Sequence, residues 1–560
     1  MYRSGHYAAA LALERVHMSI TELSNRVRRE LTYLGYPAQE WTYPHSRDGI
    51  PVLDVLIVGG GQSGLATAFG LKLERITNIR IIDRNPRGLE GPWRRFARMK
   101  ALRTPKEVHG IDFGIPSLTA RAWYEARFGR KSWDSIQTLP QETWRWYLDW
   151  YREVLELPVE SDVELTSIEP AADLLLAHLR HSGRVERVYA RKIVLATGFD
   201  GSGHKRLPQS LVSNLPPERY AHSSDPIDFR RLRGKRIGLL GIGASALDNA
   251  ATALEAGAAR VDLCFRRPTI PQVNPLIWMN FAGMFGHFAD LSDIERWRFM
   301  RYILEDLPVP PTQESVWRCR RFDNFAWHGN CSWRSIRHSA EGAIVDSSAG
   351  TFVFDFIIFA TGFDTDLATR SELGPILDHI ALWRDRFTPP PGEESELLAR
   401  HPYLGAAFEF IERHPGTAPF LARLHNFTFG AMPSLGLTGA AIPGLKYGAR
   451  RLVNGLARDL FREDSARHYE DLRTYAVPEL ETLDGEFEWL SQLGSQATDS
   501  ANLLHQLDQD MLAAIPGGQQ PQHSDRKPGR RLPRVRSHAK RARRLVNGEK
   551  QHVKSRLRAE

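Results

Sequence analysis

Cysteine is scarce in this sequence: Cys264, Cys319 and Cys331 are the three among 560 residues. They stand far apart, form no CxxC pair and match no metal-ligand spacing. A disulfide-stapled module is excluded, and zinc, haem and iron–sulfur centres are left without ligands at useful spacing. Long apolar runs are missing too. No stretch of 18 uncharged apolar residues occurs, so no membrane-spanning helix is expected. The N-terminus lacks the charged region, apolar stretch and cleavage site of a secretory signal. A reducing, cytoplasmic setting fits these absences. What is present is ordinary globular composition, 42% hydrophobic and 25% charged, which rules out a wholly disordered or collagen-like chain. At roughly 150 residues per domain, the length holds about three or four domains' worth of chain, too much for a small binding module.

The net charge of +8 is unevenly placed. Residues 517–560 hold 14 of the 74 bases and 3 of the 66 acids, a net of +11, whereas the rest nets −3. That stretch has few apolar residues to bury, so a disordered basic tail is expected over 517–560. Such a tail can add salt-sensitive attachment to nucleic acid or an anionic surface.

Residues 1–52 read as an N-terminal helical extension, with Leu11, Val16, Ile20, Leu23 and Val27 near helical spacing before Gly35-Tyr36-Pro37 breaks the pattern. Val52 to Val58 is then an apolar run of strand length. Gly59-Gly60-Gly61-Gln62-Ser63-Gly64 comes next, Leu65 to Leu73 keeps helical spacing, and Ile79 to Ile82 is a second strand ending in Asp83, 19 residues after Gly64. Strand, glycine turn, helix, strand and acid make a complete βαβ dinucleotide fingerprint. Gly59 permits the tight turn, Gly61 lets the backbone approach a pyrophosphate, and Gly64 packs helix on strand. The helix N-terminus offers free N–H groups to the phosphate. Asp83 can accept ribose hydroxyls, with Arg84 beside it.

A second copy begins at Lys235. Its strand runs to Leu240, its turn is Gly241-Ile242-Gly243-Ala244-Ser245-Ala246, and its helix continues to Ala256. Ala246 replaces the third glycine, which the fingerprint tolerates. The next strand, Val261 to Phe265, ends in Arg266-Arg267 instead of an acid, so this site is expected to prefer NADPH, whose 2′-phosphate an arginine can pair. Two further strands end in the same small-residue turn, Ala196-Thr197-Gly198 and Ala360-Thr361-Gly362, where backbone must pass close to a bound dinucleotide.

On these motifs the sequence resembles the class B flavin-dependent NADPH monooxygenases, a superfamily of flavin-containing, Baeyer–Villiger and N-hydroxylating (SidA-like) enzymes. The resemblance spans roughly residues 54–462. Asp355 to Phe363 reads D-x3-F-A-T-G-F, close to the N-hydroxylating pattern, although Asp364-Thr365-Asp366 stands where that pattern has His/Asn-Pro. Gly91-Pro92-Trp93 resembles the Gly-x-Trp element near the flavin ring. The FxGxxxHxxx signature is reduced to Tyr220-Ala221-His222-Ser223, which weakens a Baeyer–Villiger reading. The chain also looks like bacterial FAD-dependent urate hydroxylases. Flavin disulfide reductases are excluded, because they need a cysteine pair beside the flavin.

The resemblance implies an α/β chain of two interleaved Rossmann-like, doubly wound dinucleotide-binding domains with a helical insertion. FAD would sit in residues 53–200 and 353–475, and NADPH in 217–352, with an aromatic insertion at 269–330 and a C-terminal helical segment at 476–516. It implies a monooxygenase that inserts one atom of O2 into a small molecule, at nitrogen by the Asp355 pattern, through a C4a-hydroperoxide of the reduced flavin. Trp93, Lys106 and Asn274 are the catalytic candidates, with Trp278 and Asn280 as further pocket residues. Leu437 and Thr438 precede a helix expected over 445–460 whose N-terminus would face the flavin carbonyls. Trp144 to Tyr151 reads as an aromatic helix packed under the FAD domain. The alternatives are a non-oxygenating flavin oxidoreductase or oxidase, a urate-hydroxylase-like C-hydroxylating flavoenzyme, and an interaction protein acting through its basic tail.

Overall fold

The computed structural model describes residues 18–479 except 37–38, 108–109 and 308, together with 502, 505 and 506. The expected tail and nearly all of the expected helical segment 476–516 lie outside the described residues, as do Leu11 and Val16. The chain divides into a unit of residues 1–473, which holds both nucleotide folds, and a unit of residues 474–560.

Helix α1 (Ile20–Tyr33) opens with a capping box in which Ser19 and Glu22 exchange hydrogen bonds. Leu23, Val27 and Leu31 recur every four residues and are buried in the main core, so the extension packs on the first nucleotide fold. That fold runs β1 (Ile50–Val58), α2 (Gln62–Leu73), β2 (Ile79–Ile82), β3 (Ala101–Pro105), α3 (Gln141–Val154), β4 (Val159–Glu160), β5 (Val163–Ala171), β6 (Leu174–His181) and β7 (Arg184–Leu195). Its main sheet has the order β4-β2-β1-β7-β6-β5, parallel from β4 to β7 and antiparallel through β6 and β5. Val55 to Val58 is buried on both faces, which is why it reads as an unbroken apolar run and not as an alternation. Trp144, Tyr147, Trp150 and Tyr151 of α3 are buried in the same core, and the Tyr147 and Tyr151 hydroxyls donate to the Leu118 and Ile111 carbonyls.

The chain leaves through β8 (Gly203–Lys205) and builds a second parallel sheet. Its elements are β9 (Tyr220–His222), β10 (Arg236–Leu240), α4 (Ala244–Glu255), β11 (Arg260–Cys264), α5 (Pro275–Trp278), α6 (Ala282–His287), α7 (Asp293–Arg301), α8 (Gln313–Arg320), β12 (Phe325–His328) and β13 (Phe356–Phe359). The order is β9-β13-β10-β11-β12. This corrects two expected boundaries. The strand carrying the second Ala-Thr-Gly turn lies between β9 and β10 in the second sheet, so the second nucleotide fold extends past residue 353. The insertion is also shorter than 269–330, because α8 packs on α4 and β12 pairs with β11 inside the nucleotide fold. What is inserted is α5 to α7, whose Met284, Phe288 and Trp297 form a separate core with Trp383 and Met432.

The chain returns through β14 (Phe363–Thr365), which pairs antiparallel with β8. Asp364-Thr365-Asp366, the departure from the N-hydroxylating pattern, forms this return link: Asp364 opposes His204, and the Asp366 N–H donates to the Ser202 carbonyl. β15 (Leu424–Asn426) then rejoins the first sheet beside β7. α9 (Ile442–Glu463) lies across α2 with Pro443 in its first turn. It starts three residues before the expected helix. Its far end is tied to the sheet by buried charge. Arg191 of β7 donates to Asp54 of β1 at 3.1 Å and to Asp464 at 2.8 Å, and Lys192 pairs with Glu463 at 3.0 Å. Among the described residues no helix is long and apolar enough to cross a membrane.

Candidate functional site

The two glycine turns are built alike. Gly59 has φ +114° and Gly241 φ +132°, values that favour glycine. A Cβ on Gly59 would stand 2.4 Å from the Ala196 carbonyl oxygen, and one on Gly241 would stand 2.4 Å from that of Ala360. Each Ala-Thr-Gly turn is therefore the wall on which the first glycine of its own fold rests. A Cβ on Gly64 would lie 1.8 Å from the Gly59 carbonyl oxygen, which is the close helix-on-strand packing the third glycine allows.

The middle glycines differ. A Cβ on Gly61 would meet nothing closer than 3.9 Å, and one on Gly243 nothing within 4 Å. Packing within the protein does not require glycine at either position. Both are the N-caps of their helices, without a side-chain cap, so unbonded N–H groups of α2 and α4 face open cradles. Thr197 Oγ1, on the turn beside the first cradle, is buried without a hydrogen-bond partner among the described residues. Free N–H groups, an open Cα and an orphaned hydroxyl suit a dinucleotide pyrophosphate at the first cradle. The first two of these recur at Gly243, with Ala244 buried behind the turn and Ser245 exposed.

Several expected residues gather at the first cradle. Gln62 accepts from Trp144 Nε1 at 3.1 Å and donates to the Ala440 carbonyl at 2.9 Å, and Ser63 donates to the Gly439 carbonyl at 3.2 Å. These bonds hold the loop of Leu437 and Thr438 against the start of α2. The loop seats in notches of α9, where a Cβ on Gly444 would lie 2.0 Å from the Leu437 oxygen and one on Gly448 2.1 Å from that of Thr438. Trp93 packs edge-on against Trp144 at 6.5 Å. Asp83 lies under the turn, and its carboxylate accepts from the Gly60 N–H at 2.9 Å and from the Asn85 N–H and Nδ2 at 2.8 Å. It braces the glycine loop. Arg84 reaches Asp200, just past the Ala-Thr-Gly turn, at 3.5 Å.

Other expected residues are held elsewhere. Lys106 Nζ donates to the Trp133 carbonyl at 2.8 Å and lies over that ring, so its ammonium already has a partner in the helix Arg130–Ser135. Asn274 Oδ1 caps α5 by accepting from the Leu276 N–H at 3.0 Å. Trp278 is 64% exposed, and Asn280 sits in the turn between α5 and α6. Arg266 and Arg267, after β11, are exposed, and their guanidinium groups have no hydrogen-bond or ion-pair partner among the described residues; the Arg267 carbonyl accepts from the Asn330 N–H at 2.9 Å. Cys264 and Cys331 share one core cluster of the second fold, a spatial neighbourhood their sequence separation conceals. Burial pushes Cys264 up strongly and Cys319 up to about 12, so neither is a reactive thiolate.

Polar contacts lie behind both turns. Ser202 Oγ, Asn426 and Thr428 Oγ1 form a buried triad behind the first Ala-Thr-Gly turn. His222 is buried beside the second turn, bonded to the Gly362 carbonyl at 2.9 Å and Ser224 Oγ at 2.7 Å, and burial lowers its pKa. His222 was legible as a remnant of a signature; the triad left no spacing signal.

An FAD-NAD(P)-binding family model matches residues 56–200. A FAD-dependent urate hydroxylase of Xanthomonas campestris pv. campestris is 41% identical over 447 residues, covering 80% of this chain and 94% of that protein. Among solved structures, the Kutzneria sp. 744 ornithine N-hydroxylase with reduced FAD, NADP+ and L-ornithine superposes with a TM-score of 0.58 at 18% identity, over 73% of this chain and 100% of that one. The ornithine hydroxylase of Pseudomonas aeruginosa gives 0.57 at 14%, over 73% and 100%, and the L-lysine 6-monooxygenase of Pseudomonas syringae 0.55 at 15%, over 73% and 99%. At these identities the structural likeness is one of fold.

Proposed function

The chain belongs to the family of the FAD-dependent urate hydroxylase, and we propose that it is an NADPH-dependent flavin monooxygenase that hydroxylates urate, or a closely related oxidised purine, at carbon. It is an oxidoreductase of the flavin monooxygenase class that uses FAD and a nicotinamide dinucleotide. The observation that carries the purine reading is the 41% identity spanning 94% of the urate hydroxylase. The proposed reaction balances as substrate R–H, NADPH, H+ and O2 giving R–OH, NADP+ and water.

Bound FAD supplies the hydride acceptor and the centre that reacts with O2. The chain's own residues bind and orient. Gly61 and the first N–H groups of α2 hold the flavin pyrophosphate, while Gly243, Ala244 and Ser245 at the start of α4 hold that of NADPH. Arg266 and Arg267, whose guanidinium groups have no partner among the described residues, take the 2′-phosphate. Gln62 and Ser63 bring the Leu437–Thr438 loop, and with it the positive end of α9, to the start of α2, where negative charge is favoured.

The Asp355 to Phe363 pattern, which pointed to nitrogen, is accounted for by folding. The Asp355 carboxylate accepts from the Arg236 N–H at 2.8 Å and from its guanidinium at 2.9 Å, fastening β13 to β10. That role is independent of substrate. The test is incubation with NADPH and 18O2 in the presence of urate, ornithine or lysine. A labelled hydroxylated purine is expected. Label in an N-hydroxylated amino acid, with urate unchanged, would replace the purine reading with the N-hydroxylating one.

A further inference from the structure

We propose that Arg98 is a positioning residue for hydride transfer, locking the second nucleotide fold against the first so that the two cofactor sites face each other. The proposal rests on the reading of NADPH as reductant of FAD. Covalently, the folds are joined through β8 going out and β14 coming back, a ribbon of three residue pairs. An isolated two-stranded ribbon is marginal on its own, so the relative orientation of the folds needs further ties.

Those ties converge on the segment leading into β3. Arg98 Nη1 donates to the Ser223 carbonyl and Nη2 to the Asp225 carbonyl, each at 2.5 Å. Both acceptors lie in the turn just after β9, and the guanidinium lies 5.0 Å over the Phe229 ring of the second fold. Asp225 accepts in turn from the His222 N–H at 2.7 Å. The His222 ring reaches Gly362, whose turn walls Gly241. A path of hydrogen bonds thus runs from Arg98 to the Ala-Thr-Gly turn, on which Gly241 packs. Asn249 of α4 shares the Ser223 acceptor at 3.4 Å.

Neighbouring ion pairs reinforce the seam. Arg103 meets Asp248 of α4 at 3.0 Å, and Arg318 of α8 bonds Glu255 at 2.9 Å and the Arg98 carbonyl at 3.3 Å. Arg98 differs from them because its bonds go to carbonyls and to no carboxylate among the described residues. Burial lowers its pKa to about 10, which leaves it charged at neutral pH. A planar guanidinium can grip two carbonyls of one turn at once; a lysine ammonium is a single point on a flexible stem.

The experiment uses the full-length, FAD-loaded protein and its Arg98→Lys and Arg98→Gln variants. Flavin content and NADP+ affinity are expected to stay within about twofold of the parent, because neither cradle is touched. The rate constant of anaerobic flavin bleaching at saturating NADPH should fall at least about tenfold, roughly 1.4 kcal/mol in the barrier. Amide hydrogen exchange over 221–227, the turn that Arg98 holds, should speed up. Faster exchange with an unchanged bleaching rate constant would make Arg98 merely structural and overturn the proposal, as would unchanged exchange. If NADPH fails to bleach the parent flavin, the reductant reading fails on its own, and the exchange result still decides whether Arg98 clamps the seam. Should the Arg98 variants not hold FAD, Phe229→Leu removes the ring beneath the guanidinium. It should slow bleaching at least about threefold, and an unaltered rate would overturn the proposal.

Discussion

Replacing Gly61 with valine should separate flavin binding from folding. The backbone there is extended, with φ −75° and ψ −173°, which any residue adopts, and the nearest atoms to an added Cβ are 3.9 Å away. The folded protein should lose no more than about 1 kcal/mol, the order of an N-cap preference. The cradle itself would be filled. Displacing a pyrophosphate by the width of an isopropyl group breaks its bonds to the α2 N–H groups, each charge-assisted and worth about 1.5–3 kcal/mol. Losing two of them weakens FAD by about two to four powers of ten. The assay is the flavin-to-protein ratio after dialysis, read beside the urea midpoint of the flavin-free protein. Gly64→Ala is the contrast. Its methyl would sit 1.8 Å from the Gly59 oxygen, so the backbone must move and the flavin-free midpoint should fall as well. A Gly61→Val protein that keeps a full complement of flavin would refute the site.

Further expectations concern specificity and stability. Arg266→Ser with Arg267→Ser should lower kcat/KM for NADPH about 10- to 100-fold and leave NADH nearly unchanged; equal losses with both coenzymes would remove the phosphate role. Arg191→Met strands Asp54, 1% exposed, and Asp464, 6% exposed, without their cation, and should cost about 3–5 kcal/mol by urea unfolding. A loss below about 1 kcal/mol would show that the network is dispensable. His401 and His425 are fully buried, and burial lowers both from 6.5 to about 4. The unfolded chain therefore binds more protons than the folded one between those values. Stability should fall as pH drops from about 6.5 towards 4, by up to about 1.4 kcal/mol per pH unit for each histidine. A flat urea midpoint between pH 7 and 5 would contradict this.

The parts of the fold that the sequence disclosed are those whose geometry is local. A glycine turn, its helix and the next strand lie within some 30 residues, so Gly59, Gly61 and Gly64 declared both the fold and the cradle. Sheet membership is not local. Phe356 to Phe359 fell inside the range 353–475 expected for the flavin fold, yet pairing with β9 and β10 puts it in the second sheet. Lys106 and Asn274 have the right chemistry for a site, but the Trp133 carbonyl claimed the ammonium and a helix N-terminus claimed the short amide, as turns often do with Asn. Arg98 was silent because its acceptors are backbone carbonyls 125 and 127 residues downstream, which no side-chain pattern reveals.

The central claim is that this two-nucleotide flavoprotein oxygenates its substrate. The most direct measurement is the balance of NADPH, O2 and hydrogen peroxide during turnover with urate. One NADPH and one O2 are expected to be consumed per urate hydroxylated, with little peroxide. Consumption of O2 returned stoichiometrically as peroxide, with urate intact, would contradict it and leave a flavin oxidase on the same fold.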